Sequence, residues 1–412
     1  MAVLLLQGPL GPFFKRLALA LRKEGIDVRK INFNGGDVWY SRGIGADNFY
    51  GPQEDWKPFL RDYIQRHNIT AIAVYGDCRL YHRLAREVSI ELGIGFYAFE
   101  EGYIRPNHIT FEVDGVNGYS GISAERIADW EDMEVEPELA IGNHLSNRIR
   151  YASYYYIFGT LFLPFFRHYR HHRSFSPFYE AYCWWRAARR HYMYKLTERR
   201  MLPRLLQKYD GNYFLFPLQV HNDAQIHFHS PYESIVEAIE EVVGSFTVNG
   251  RKEDCLVIKH HPMDRGHAHY GRLIKQLASK YQLGDRLLYL HDQHLPTLLV
   301  HARGVVTINS TTALQAFYHK ASVKVLGDAF YNLPGICSQQ SLQEFWQQPE
   351  EIDYDLFLRF RNYLSHNGQV NGAFYRYYGA TLKNVVAIMK SNGFLQAEHI
   401  LAEDKEKQRK AG

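Results

Sequence analysis

Two α/β domains, each built on a parallel sheet, are predicted by three observations. Short apolar runs alternate with amphipathic helical patterns along the chain. Those runs end in Gly, Asn, Asp or hydroxyl clusters, as strands do where a sheet edge carries a site. The length, 412 residues, exceeds what one hydrophobic core supports and suits two domains. Composition agrees with a globular chain: 46% hydrophobic and 22% charged residues. Cys78, Cys183, Cys255 and Cys337 lie far apart with no CxxC spacing, which fits a reducing compartment and predicts neither a disulfide framework nor a zinc site. The opening residues lack the basic region and long apolar core of a signal peptide, so a cytoplasmic location is expected.

In the first domain, Val3 to Leu6 reads as a strand closed by Gly8-Pro9-Leu10-Gly11-Pro12. A helix follows with Phe14, Leu17, Ala18 and Leu21 on one face. Val28 to Phe33 is the next strand and ends in Asn34-Gly35-Gly36-Asp37, a glycine-rich turn that is not the GxGxxG dinucleotide fingerprint. Ala71 to Tyr75 is a third strand, followed by a helix with Leu80, Leu84, Val88 and Leu92 in register. Gly95 to Phe99 is a fourth and runs into Glu100-Glu101-Gly102. Two adjacent carboxylates at a strand end point to opposite faces, so only one can serve a given site. A carboxyl among apolar neighbours can hold a raised pKa and move protons; a salt bridge to Arg105 or a helix cap is the plainer role. Residues 107–147, with Asp114-Gly115 and Asn117-Gly118 turns and the acidic run 131–136, read as surface loops.

Residues 148–200 differ from the rest. They are rich in Tyr, Phe and Trp and carry eleven Arg and Lys against two acids, a net +9 in a chain whose total is +4. The apolar run within them is too short and interrupted to span a bilayer, which takes roughly 20 residues. Contact with an anionic membrane surface, packing on the first domain and stacking on single-stranded nucleic acid all suit this composition. Membrane contact is the reading adopted, through Trp184, Trp185, Arg186, Arg189 and Arg190, and no nucleic acid partner is expected.

The second domain is expected from about residue 206, with the first covering 1–205 and including an aromatic-basic helical insertion at about 148–200. Its strands are Tyr213 to Leu218, Cys255 to Lys259, Leu287 to Leu290, Gly304 to Ile308 and, last, Ser322 to Leu326. The second of these places Lys259, His260 and His261 before Pro262, which stops the ladder because it has no N–H to donate. An ammonium beside an imidazole suits an anionic leaving group such as a phosphate. The fourth strand ends in Asn309-Ser310-Thr311-Thr312, where hydroxyls and free N–H groups offer either a phosphate site or ordinary N-capping. A terminal helix, Thr381 to Met389, is expected to pack back on the first domain, and the charged tail from Ala402 to fray.

Taken in order, several longer motifs resemble a known family. They are Leu5-Leu6-Gln7-Gly8-Pro9, Phe33-Asn34-Gly35-Gly36-Asp37, Phe99-Glu100-Glu101-Gly102-Tyr103, Leu218-Gln219-Val220, Lys259-His260-His261-Pro262-Met263-Asp264-Arg265-Gly266-His267 and Val306-Thr307-Ile308-Asn309-Ser310-Thr311. Over nearly the whole chain the sequence resembles the capsule polysaccharide Kdo transferases of the KpsS/LipB type. The acidic pair, His-Pro and Ser/Thr set is also similar to that of bacterial sialyltransferases. The resemblance implies a GT-B-like fold, two Rossmann-like domains with a cleft between them. It implies transfer of β-Kdo from CMP-Kdo to a phosphatidylglycerol lipid, with retention by double displacement. The Gln-x-x-x-Asp motif of related β-Kdo transferases falls on Gln219 and Asp223, which makes Asp223 the expected nucleophile. Glu101 becomes the expected acid/base. Relatives often carry Asp there, which leaves Glu100 open for the role, and His221-Asn222 also departs from some relatives' motif.

On this reading His261 and Lys259 offset the leaving phosphate, with Pro262, Asn309, Ser310, Thr311 and Gln219 completing the donor site. No DxD-like metal motif is evident, so no metal and no cofactor is expected beyond CMP-Kdo as the donor substrate. The implied setting is peripheral, on the cytoplasmic face of the inner membrane, with other capsule biosynthesis and export proteins as partners. Two other functions fit the same residues: a non-catalytic glycolipid-binding export component, and a CMP-sugar transferase with a soluble acceptor.

Overall fold

The structure, a computed structural model, describes residues 2–135, 137–142, 144–170 and 177–391. The expected frayed tail lies outside them. Contacts divide the chain into two units: residues up to 121, 133–177 and from 364 in one, and 122–132 with 178–363 in the other.

The first unit is a seven-stranded sheet. Its strands are β1 (Ala2–Leu5), β2 (Asp27–Asn32), β3 (Asp47–Asn48), β4 (Ala71–Tyr75), β5 (Gly95–Glu101) and β6 (His108–Val113). The second unit contributes β7 (Tyr213–Pro217), β8 (Cys255–Lys259), β9 (Leu287–Leu290), β10 (Gly304–Thr307) and β11 (Val323–Val325). The chain then returns to the first sheet with β12 (Gln369–Asn371), giving the order β12-β6-β5-β4-β1-β2-β3. Strands β3-β2-β1-β4-β5 are parallel, and β6 and β12 add antiparallel. The central strands are apolar on both faces, as helix-covered strands must be. In β1, Val3 and Leu5 enter one core while Ala2 and Leu4 enter the other. Helix Phe13–Lys23 buries Phe13, Phe14, Leu17, Ala18 and Leu21 on the first of these, and helix Tyr378–Ser391 adds Val385, Val386 and Met389 to the same core.

The second sheet has five parallel strands in the order β11-β10-β7-β8-β9. Both sheets reverse strand order beside their first strand, at β1/β4 and at β7/β10, the switch points where ligands settle in such folds. Each unit thus has the Rossmann-like α/β organisation expected.

Three expectations are corrected. Residues 107–147 are not all loop: β6 runs through His108–Val113 with Ile109 and Phe111 buried, and a short helix covers Ala124–Ala128. Burial of β6 depends on pairing with β12, some 260 residues away, which no local pattern reveals. For the same reason β11 is not the last strand. The aromatic-basic stretch is also not one insertion in the first domain. Helix Leu145–Leu161 belongs to the first unit, whereas helices Pro177–Thr197 and Met201–Tyr209 belong with the second, so the division falls near 177 and not near 205.

Candidate active site

At the first sheet's edge, β5 carries Glu100 and Glu101 beyond the expected strand end because they pair with Thr110 and Ile109 of β6. The pleat turns them apart. Glu101 shares a face with Tyr97 and Phe99, Glu100 with Phe96 and Ala98. Glu101 Oε1 accepts the Tyr75 hydroxyl at 3.3 Å and lies 3.8 Å from the Arg148 guanidinium. Burial pushes the Glu100 carboxyl up to about 7; the Glu101 backbone N–H, donated to Glu100 Oε1 at 2.9 Å, opposes that rise. Burial first, then the two glutamates, also raises the Tyr75 hydroxyl well above its usual range. Gly102 is required here: a Cβ would lie 2.1 Å from the His108 carbonyl oxygen. Arg105, expected as a possible salt-bridge partner of the acids, instead donates Nε to the Gly102 carbonyl at 3.0 Å.

At the second sheet's edge, Gln219 follows β7 and Asn309 follows β10, on the two sides of the switch point. Gln219 Nε2 donates to Asn309 Oδ1 at 2.9 Å and to Asp223 Oδ2 at 3.4 Å. Asp223 also caps helix Ala224–Phe228, its Oδ1 accepting the Gln225 N–H at 3.0 Å. One expected nucleophile and two expected donor-site residues are therefore a single bonded set. Lys259 ends β8 and is buried, which lowers its ammonium pKa; Asp292 opposes the shift and Arg265 adds to it. His261 Nδ1 accepts the Met263 N–H at 3.1 Å and so caps the turn Pro262–Asp264, placing the neutral ring's proton on Nε2. Its neighbour His260 is turned inward, and burial takes it down to about 3. Ser310 is used within its own turn: Oγ donates to Thr312 Oγ1 at 3.1 Å and accepts the Thr312 N–H at 3.2 Å, while Thr311 makes no side-chain cap.

The residues expected at a membrane divide in two. Arg186 Nε and Nη2 donate to the carbonyls of Gly266 and His267, at 2.5 and 3.2 Å, and Arg190 Nη1 donates to that of Arg265 at 2.7 Å. These arginines clamp the loop that follows His261. Trp184, Trp185 and Arg189 stay exposed, with the Arg189 guanidinium 5.7 Å from the centre of the Trp185 ring. Gly266 belongs to the same contact, since a Cβ there would meet the Cys183 carbonyl oxygen at 2.3 Å. Helix Leu145–Leu161 is held by comparable means: Cβ atoms on Gly35 and Gly36 would strike Phe158 and Tyr155, and Trp39 stacks on Phe158 at 3.5 Å.

The sequence reading passed over one pair. Asp264 is fully buried and holds His221 through the backbone N–H at 3.1 Å and ring Nδ1 at 2.5 Å. His221 falls within the Gln219-x-x-x-Asp223 spacing and Asp264 within the run Lys259 to His267; a lone acid two residues after Pro262 was the available signal.

Comparison with known proteins places these features in a family. The profile described as capsule polysaccharide biosynthesis protein matches residues 70–375. The capsule polysaccharide export protein KpsS of Escherichia coli is 44% identical over 90% of this chain and 96% of its own length. The capsule polysaccharide modification protein LipB of Neisseria meningitidis serogroup A is 36% identical over 90% of this chain and 91% of its own length. Among solved structures, KpsC of Thermosulfurimonas dismutans, a beta Kdo 2,7 transferase, is similar at a TM-score of 0.44 and 12% identity, over 94% of this chain and 97% of that one. On the extent of these sequence matches, the chain belongs to the capsule polysaccharide biosynthesis protein family.

Proposed function

We propose that the protein is a retaining glycosyltransferase of GT-B type that moves β-Kdo from CMP-Kdo to a phosphatidylglycerol lipid, starting the linker of a capsule polysaccharide. The observation that carries this reading is the bonded set Gln219–Asp223–Asn309 at the switch point of the second sheet, on the strand-end edge that also carries Lys259 and His261. Asp223 attacks the anomeric carbon as the bond to the CMP phosphate breaks. The acceptor hydroxyl then displaces Asp223 while a second carboxylate takes its proton, so two inversions give retention. Glu101 is assigned that second role. Glu100, whose pKa of about 7 suits proton transfer near neutrality, is the alternative that this observation favours. Lys259 and His261 offset the charge of the leaving phosphate, and Asn309, Ser310 and Thr311 with the Pro262 turn complete its surroundings.

No helix among the described residues is long and apolar enough to cross a membrane. Trp184, Trp185 and Arg189 supply the exposed aromatic and basic groups for peripheral contact with the anionic inner face of the inner membrane, where other capsule proteins are the partners. The KpsS relative's description as an export protein favours a second reading, a non-catalytic component that binds the glycolipid. Incubation with CMP-Kdo and phosphatidylglycerol vesicles separates the two. Release of CMP with a Kdo-bearing lipid supports the transferase, and lipid binding without turnover supports the export component. Turnover on a water-soluble acceptor alone removes the lipid from the reaction.

A further inference from the structure

His221 and Asp264 form a pair that none of the roles above uses. Both oxygens of the fully buried Asp264 carboxylate meet one residue, Oδ2 accepting the His221 backbone N–H and Oδ1 facing its ring Nδ1. A buried carboxylate on Nδ1 fixes the ring's orientation and makes Nδ1 the N–H donor, which leaves Nε2 as the nitrogen that exchanges protons. The side chain keeps 38% of its surface exposed, so Asp264 holds a ring that still reaches solvent.

The pair stands among the donor-site residues. His221 lies in the turn closed by the Asp223 N–H on the Val220 carbonyl at 2.9 Å, between Gln219 and Asp223. Asp264 ends the short turn that His261 caps. Among the described residues, Asp264 meets His221 at Nδ1 and His267 stacks on its ring at 5.5 Å, with Asp223 further along the same turn. From the helix Pro177–Thr197, Arg186 holds the carbonyls of Gly266 and His267, and Tyr179 faces the His267 ring at 6.4 Å.

Resting on the transferase reading, we infer that His221 is the proton donor to the departing nucleotide, with Asp264 as its positioning residue. As the bond between the anomeric carbon and the phosphate oxygen breaks, the electron pair stays on that oxygen. The Nε2 proton of the imidazolium moves onto it, and the neutral ring regains a proton from solvent. Asp223 forms the new bond to carbon, so the two residues act on opposite ends of one cleavage.

The test pairs kinetics with a readout that needs no turnover. His221→Gln is expected to lower kcat for CMP release by about 10²-fold and to abolish the fall in rate on the alkaline side of the pH profile, with KM for CMP-Kdo little changed. Asp264→Asn, which presents an amide N–H to Nδ1 and reverses the tautomer, is expected to give the same altered profile. Added imidazole should restore part of the rate to His221→Gly. In the wild-type protein, titration with CMP should move the ring nitrogen NMR signals of His221. A His221→Gln enzyme with wild-type kcat and pH profile overturns the inference and leaves the transferase reading standing. A wild-type protein whose His221 ring responds to CMP but which never turns over CMP-Kdo overturns the transferase reading and retains the nucleotide contact. Ring signals indifferent to CMP overturn the inference in either case.

Discussion

The two sheets end alike in backbone and differ in chemistry. The first presents Glu100 and Glu101 among Tyr75, Phe99 and Tyr375; the second presents Lys259, His260 and His261 with amides and hydroxyls. Burial acts on both and drives each toward its uncharged form. It raises Glu100 to about 7 and takes His260 down to about 3, with Lys259 also lowered. Glu100 therefore holds its proton more readily, and Lys259 and His260 release theirs more readily, than the same groups would in exposed loops.

The largest effect should come from removing the nucleophile. Asp223→Asn is expected to lower transfer by at least about 10⁴-fold while calorimetry still registers CMP binding. Wild-type turnover would place the chemistry of the second edge elsewhere. Next come the acids. Changing the glutamate that carries the proton to Gln is expected to cost about 10²- to 10⁴-fold in kcat, and Glu100→Gln, if it is that residue, should also lose a limb of the pH profile near 7.

Glu100 further predicts a stability trend of definite sign. Its folded pKa lies above its ordinary 4.5, so the fold is favoured while the group is protonated, and that contribution is lost as pH rises from about 4.5 through about 7. Glu112, raised by burial to about 8, extends the loss in the same direction. The thermal midpoint of Glu100→Gln should fall less over this range than the wild type's. A steeper fall would show that Glu100 is ionised in the fold. Smaller still is the effect of packing. Gly266→Ala is expected to cost about 1–3 kcal/mol in denaturant unfolding, because the Cys183 carbonyl must move. The smallest effect distinguishes the arginines: Arg189→Ala should weaken binding to phosphatidylglycerol vesicles by about 1 kcal/mol at low salt. Arg186→Ala should instead loosen the 265–268 loop and leave vesicle binding unchanged.

Legibility from sequence followed the range of the interactions. The apolar runs of β1, β4, β8 and β10 announced themselves, since a strand covered on both faces needs little besides Val, Ile, Leu, Ala and Phe. The motif glycines were visible, but their purpose was not. Gly266 and Gly35 make room for helices contributed by residues about 80 and 120 positions away. Arg186 and Arg190 looked like surface charge because no local signal distinguishes a guanidinium bound for lipid from one bound for carbonyl oxygens. The Gln-x-x-x-Asp spacing did identify a bonded group, whereas the hold of Asp264 on His221 spans 43 residues and needed the fold.

Gln369 on β12 donates Nε2 to Thr110 Oγ1, which in turn donates to the Glu101 carbonyl at 3.1 Å, and its Oε1 accepts the N–H of Tyr103 at 2.8 Å. The acidic edge thus waits for a strand synthesised after the entire second sheet. At about 5–20 residues per second, a ribosome needs roughly 10–50 s to travel from Glu101 to Gln369. Throughout that interval β6 is an unpaired border on a nascent chain, open to wrong partners or to a chaperone. The bonds that Gln369 supplies to the acid edge can therefore form only after the second sheet has been translated, however fast the residues around Glu101 fold.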